Sequence, residues 1–193
     1  KIIDENIETI IKILRVFEND SSNLILLGME NISKRPLLHF ASYIANVDFT
    51  EIDSSFGNES LKNKDTFIEN EIKPFILKAI QMDKKSILYI SPNIKANHVF
   101  ETIHKLMDTR EIINNFKFFG TNEEFEFDEF EINEKLEKNI SICLDINYGT
   151  EQYMNIFTKY STIVKHSTVI YLQSWTVDDM ISYYNITTRE IQN

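Results

Sequence analysis

The stretch Asn23–Pro36, NLILLGMENISKRP, restricts the fold more than any other part of the chain. Leu24, Ile25, Leu26 and Leu27 form a short unbroken apolar run. Such a run suits a strand buried on both faces, as in a parallel sheet. Gly28 closes it. Six residues later Lys34 precedes a pattern in which Leu37, Phe40, Ala41 and Ile44 share one helical face. Strand, loop, lysine and helix is the layout of a phosphate-binding P-loop. The loop departs from the G-x-x-x-x-G-K-[ST] pattern. Ser33 stands where the second glycine belongs, and Arg35 where the hydroxyl belongs. The stretch reads as a nucleotide-binding scaffold whose loop is unfit for turnover.

The remaining periodicities build a sheet around that strand. Ile7, Ile10, Ile11 and Leu14, widened by Ile13, Val16 and Phe17, predict a leading helix, and Asn19–Ser22 a turn. The helix after the loop runs from about Lys34 to Ala45, with Pro36 in its first turn, where a missing N–H is harmless. Val47–Ile52 predicts a second strand, and Asp53–Asn63 a polar loop. Ile68, Ile72, Phe75, Ile76, Ala79 and Ile80 mark a helix that Pro74 either kinks or begins. Ser86–Ile90, SILYI, predicts a third strand, stopped by Ser91 and Pro92. Val99, Ile103, Leu106 and Met107 mark another helix, with a further turn over Ile112–Phe116. Ile140–Ile146, ISICLDI, predicts the fourth strand, Met154–Tyr160 a helix, and Thr168–Leu172, TVIYL, the fifth strand. Thr176 and Asp179 resemble a capping box, opening a helix that carries Met180, Ile181 and Tyr184. The acidic–aromatic run Glu123–Glu131, EEFEFDEFE, alternates like a strand with Phe125 and Phe127 on one face; its rival is a partner-docking hairpin. Strands alternating with helices predict an α/β fold, a five-stranded parallel sheet with helices on both faces. It forms a single domain over residues 1–193, without an internal repeat.

Composition removes several function classes. The 193 residues suffice for a substantial core, and 42% hydrophobic residues argue against a disordered chain. The longest apolar runs fall far short of the roughly 20 residues a membrane helix needs, and no signal peptide is visible. A net charge of −10 argues against nucleic acid or an acidic membrane surface as a partner. The one cysteine, Cys143, cannot form an internal disulfide. It reads as a buried hydrophobe in a reducing, intracellular setting. His98 and His104 lie six apart and do not share a helix face; with His39 elsewhere, no zinc or other metal site is expected. The chain opens at Lys1 directly into helical patterning and is read as a piece of something longer.

Several segments resemble one family in chain order. They are IIKILRVF before the first strand, LLGMENISKRPLLHFASYIA across the loop and its helix, SILYISPN, HVFETIHKLMDTREIINNF, NISICLDIN and STVIYLQSWTVDDM. Together they resemble the AAA+ modules of dynein heavy chains, most of all the fourth module of axonemal-type chains. The last segment is similar to the family's Trp-Phe-x-x-Trp ending, with Trp175 at the final tryptophan and Tyr171 and Leu172 at the first two aromatic positions. The resemblance spans nearly the whole chain. It implies the P-loop NTPase, AAA+ large (αβ) subdomain of one ring module, without its small helical lid, as a fragment of a longer chain.

The resemblance also implies site positions. The remnant P-loop is Gly28, Ser33, Lys34 and Arg35. Lys34 stands where β- and γ-phosphates are reached, and Arg35 replaces the magnesium-holding hydroxyl. Met29, Glu30, Asn31 and Ile32 fill a loop that needs bare backbone N–H groups, and Glu30 adds negative charge there. Ser91 and Pro92 stand at the Walker B position, where an acidic pair normally holds metal and polarises water. Asn147 stands at the sensor position, with a plain turn before Tyr148 and Gly149 as its alternative. His166 stands at the arginine-finger position. A mostly neutral imidazole does not replace a group that contributes ~10³–10⁵ in rate. No catalytic residue and no metal ligand is therefore expected, and no cofactor beyond ADP or ATP held without magnesium.

The implied role is a non-hydrolysing, structural and allosteric ring module of an ATP-driven microtubule motor that hydrolyses ATP elsewhere in its chain. Its direct partners would be neighbouring AAA+ modules of the same chain. The microtubule would be an indirect one, and the location cytoplasmic and cytoskeletal, including the cilium axoneme. On the residues alone two rivals stay open. One is an independent P-loop ATPase using unconventional acids. The other is a free-standing protein-binding module with a relic nucleotide pocket.

Overall fold

The computed structural model describes residues 4–19, 23–30, 33–52, 63–82, 84–94, 96–107, 129–173 and 181. The expectations for residues 20–22, 53–62, 112–116 and 123–128, for the Thr176–Asp179 box and for Trp175 lie outside them. The described strands are β1 (Asn23–Gly28), β2 (Asp48–Ile52), β3 (Ser86–Ile90), β4 (Ile140–Asn147) and β5 (Ser167–Leu172). They form an all-parallel sheet in the order β2-β3-β4-β1-β5. β1 therefore lies inside the sheet, flanked by β4 and β5. At its C-terminal end Gly28 stands opposite Asn147 and Leu172.

The apolar run of β1 is explained by its neighbours. Ile25 and Leu27 join one core, while Leu24 and Leu26 join the other. Side chains alternate along a strand, so a strand covered on both sides needs apolar residues at every position. On one face lie α1 (Asp4–Glu18) and α2 (Lys34–Ile44). Their Ile10, Ile13, Leu37 and Leu38 pack with Leu24, Leu26, Ile87 and Cys143. The other face carries α3 (Lys64–Phe67), a π-helical turn (Ile68–Ile72), α4 (Lys73–Met82), α5 (Asn97–Met107), α6 (Glu129–Asn139), α7 (Glu151–Lys159) and α8 (Ser161–Lys165). Phe67, Phe75, Ile103, Ile156 and Ile163 seal this side against Ile25, Leu88 and Leu144.

Three expectations need correcting. In α2, Leu37 and Ala41 are buried, but Phe40 and Ile44 are exposed, and Leu38 and Ser42 take their places. In α1, Ile7 and Ile11 are exposed, while Ile10, Ile13, Val16 and Phe17 are buried. Each of these helices meets both the sheet and the other helix, so burial follows the sector between two contacts. Spacing within one helix cannot orient that sector. The strand-like reading of Glu123–Glu131 also fails where it can be seen, because Glu129–Glu131 open α6. The Glu- and Lys-rich continuation favours helix, with Leu136 as its buried contact.

Pro74 falls in the first turn of the regular helix α4, which starts at Lys73, so it does not kink that helix. The preceding turn is widened, with the Lys73 N–H donating to the Ile68 carbonyl. Proline lacks an N–H, so a wide turn just before it forfeits no bond at that position. Among the described residues, no helix is long and apolar enough to cross a membrane.

Candidate functional site

The loop after β1 returns the chain into α2 so that Lys34 reaches the C-terminal end of β4. Its Nζ donates to the Ile146 carbonyl at 3.1 Å and to Asn147 Oδ1 at 2.6 Å. It also lies 2.6 Å from Asp145 Oδ1. At that distance the two groups form a buried ion pair. The other carboxylate oxygen, Oδ2, accepts from the Tyr89 hydroxyl at 2.6 Å. Lys34 is 2% exposed and Asp145 3%. An ammonium carries three N–H donors, and three protein acceptors surround this one.

The strand pattern explains the convergence. Cys143 on β4 faces the α1–α2 side, and Asp145, two residues on, points the same way. Tyr89 on β3 also faces that side. Burial lifts the Asp145 carboxyl above its ordinary range, and the Lys34 and Tyr89 bonds draw it back only in part. Burial first, and Asp145 second, push the Tyr89 phenol far up. The same two causes, in the same order, push up the Cys143 thiol, which is fully buried. Such a thiol is a poor nucleophile.

Arg35 turns the other way. Its Nε and Nη2 donate to Glu51 Oε1 and Oε2 on β2, at 2.7 and 2.5 Å. Two cations in the first turn of α2 oppose the helix dipole, and each has its own carboxylate. In a working P-loop a bound anion serves this helix end. Glu30, exposed on the loop, adds a further negative charge.

The other sequence-predicted positions divide into those gathered at this end and those elsewhere. Gly28 lies opposite Asn147, and its carbonyl accepts from the Tyr148 N–H at 2.8 Å. Gly28, Lys34 and Asn147 are thus brought together. The Asn147 carbonyl also accepts from Thr150 Oγ1 at 2.7 Å, so this residue is at once a turn residue and a partner of Lys34. Ser33 precedes α2 without a side-chain capping bond. Ser91 is buried and its N–H donates to the Ile52 carbonyl at 3.1 Å. With Pro92 it forms the turn leaving β3 and brings no carboxylate there. His166 is exposed at the start of β5, and its carbonyl accepts from Asn23 Nδ2 at 3.2 Å. Asn23 and Gly28 mark opposite ends of β1, roughly 17 Å apart at ~3.3 Å per residue. His166 therefore stands at the far end of the sheet from Lys34. There it borders a cavity of about 100 Å³ that is mainly apolar, lined by Phe75, Leu106, Leu136 and Ile142 among others.

Reading the sequence singled out neither Asp145 nor Tyr89. The signal was present: ISICLDI sets one acid in an apolar strand. Burying a carboxylate without a partner is costly, so such an acid calls for a cation. Among the described residues, no group of three or more His, Cys, Asp or Glu is placed to hold a metal ion.

No curated protein matches this chain. A family model described as the P-loop containing dynein motor region D4 matches residues 2–191. The match takes in all of the described strands, the loop after β1 and Lys34, in keeping with the parallel sheet and helix layers found here. The chain belongs to the family of the P-loop containing dynein motor region D4.

Proposed function

We propose that this chain is a non-hydrolysing module of a dynein motor chain, the large αβ subdomain of one AAA+ unit, serving its ring by shape and strain transmission. The observation that carries this reading is the internal engagement of Lys34 by Asp145, Asn147 and Ile146. Phosphoryl transfer depends on positioning and charge neutralisation of the phosphates. Here the lysine that would neutralise them is already neutralised by protein. Ser91 and Pro92 supply no acid for metal or water, and Asn147 is engaged by Lys34. In this role the chain works between neighbouring modules of the same motor chain, reaches the microtubule only through the rest of the motor, and acts at the cytoskeleton, in cytoplasm or axoneme.

The test is steady-state phosphate release from ATP with magnesium. The expected rate equals that of buffer alone. A rate above buffer that disappears in Lys34→Met, in protein shown to be folded by circular dichroism, overturns the reading.

A further inference from the structure

We infer that Asp145 is a built-in occupant of the phosphate site: its carboxylate competes with a di- or triphosphate for Lys34 and so determines that the site takes no anion. The inference rests on the reading of this chain as a non-hydrolysing module and concerns the selectivity of that same site.

Three observations carry it. First, Lys34 and Asp145 are both almost wholly buried and stand 2.6 Å apart at the C-terminal end of the sheet. That is where open α/β sheets bind their ligands. Second, the carboxylate is held from two sides: Oδ2 accepts from the Tyr89 hydroxyl at 2.6 Å, and Oδ1 lies 2.6 Å from the Lys34 ammonium. The carboxylate is thus anchored from β3 and presents its other oxygen to the lysine, as a bound phosphate would present one of its own. Third, the cations of this helix end are matched by carboxylates. Lys34 has Asp145 and Arg35 has Glu51, so the positive field that draws phosphate to such an end is cancelled from within. Asp145 is accordingly a specificity-determining residue, with Tyr89 as its positioning residue.

The test uses neutral replacements in the full chain. Binding of inorganic pyrophosphate and of ADP, both without magnesium, is measured by calorimetry on the unaltered chain, Asp145→Asn and Asp145→Asn/Lys34→Met. The unaltered chain is expected to show no saturable binding. Asp145→Asn keeps the size and one acceptor oxygen for Tyr89 but removes the charge that holds the ammonium, and gains affinity of at least about tenfold, a free-energy change within reach of one charge contact. The gain vanishes when Lys34 is also replaced. A folded Asp145→Asn that binds no better than the unaltered chain overturns the inference, as does a gain that survives Lys34→Met or equal binding by the unaltered chain. If Asp145→Asn does not fold, Asp145→Ser is read in the same way. Failure of both to fold also overturns it, because the carboxylate is then a requirement of stability rather than an occupant. ATP turnover by the unaltered chain removes the non-hydrolysing reading and this one with it. Absent turnover with an indifferent Asp145→Asn removes this one alone.

Discussion

Replacing Lys34 with methionine while keeping Asp145 tests the buried pair by number. The two side chains have similar length, so the change is chiefly one of charge. Removing one partner of a buried pair costs about 3–5 kcal/mol. Proton uptake caps the charge part of that cost. An unfolded aspartate ionises near ~3.9 and each pH unit is worth ~1.4 kcal/mol, so protonating Asp145 costs about 4 kcal/mol at pH 7 and about 2 at pH 5.5. The sign follows from the direction of the shift. The Asp145 carboxyl is already raised in the folded chain, and loss of Lys34 raises it further. The folded state then holds a proton that the unfolded state has released, so the variant loses stability as pH rises through that window. For a chain of this size about 1 kcal/mol moves Tm by ~2–4 °C. The expected penalty is thus roughly 8–16 °C at pH 7 and roughly 4–8 °C at pH 5.5, both on the alkaline side of the sequence pI of about 4.9. Urea unfolding at both pH values gives the free energies directly. Adding Asp145→Asn to Lys34→Met should recover most of the loss, a coupling of about 3 kcal/mol. Equal penalties at the two pH values, or additive single and double variants, refute the claim that the two residues form a charge pair.

Other perturbations separate this cluster from its surroundings. Tyr89→Phe removes a donor to a charged acceptor and should cost about 1.5–3 kcal/mol in urea unfolding. With the Tyr89 phenol raised by burial and Asp145, the same substitution should leave the alkaline absorbance change of the native chain unaltered while reducing that of the unfolded chain. Cys143, the one thiol in the sequence, should resist a disulfide reagent in the native state and react fully in urea; rapid native labelling would contradict its burial. Arg35→Ala, next door to Lys34, breaks a partly exposed, two-bond pair with Glu51 and should cost about 1 kcal/mol, well below the Lys34→Met penalty at pH 7.

Much of the architecture was legible because a strand buried on both faces leaves an unbroken apolar run. Leu24–Leu27 shows it outright, Ile87–Ile90 after an opening serine, and Ile140–Ile146 with Ser141 and Asp145 set into it; all three lie inside the parallel sheet. Lys34 was legible by its place after such a strand. Its partner was not. Lys34 and Ile146 are 112 residues apart and meet only because β4 is the strand inserted beside β1, a fact of sheet order rather than of any local pattern. The same order explains His166. Its place before the fifth strand is evident in the sequence, but a parallel sheet puts the starts of strands at the end remote from the lysine. The faces of α1 and α2 were misjudged at Ile7, Ile11, Phe40 and Ile44 because two contacts, not one, decide which sector of a helix is buried.

The wide turn between α3 and α4 has a rotational consequence. Phe67 and Ile72 are five positions apart, which on a regular helix of ~100° per residue would point them about 140° away from each other. The surplus residue closes most of that angle, and both side chains end in the same core with Ile76. The segment in effect carries one residue too many, absorbed in the widened turn. Deleting a single residue from Glu69–Glu71 should therefore leave Phe67 and Ile72 on a common side, four apart, whereas deleting all three would leave them two apart and point them about 160° away from each other.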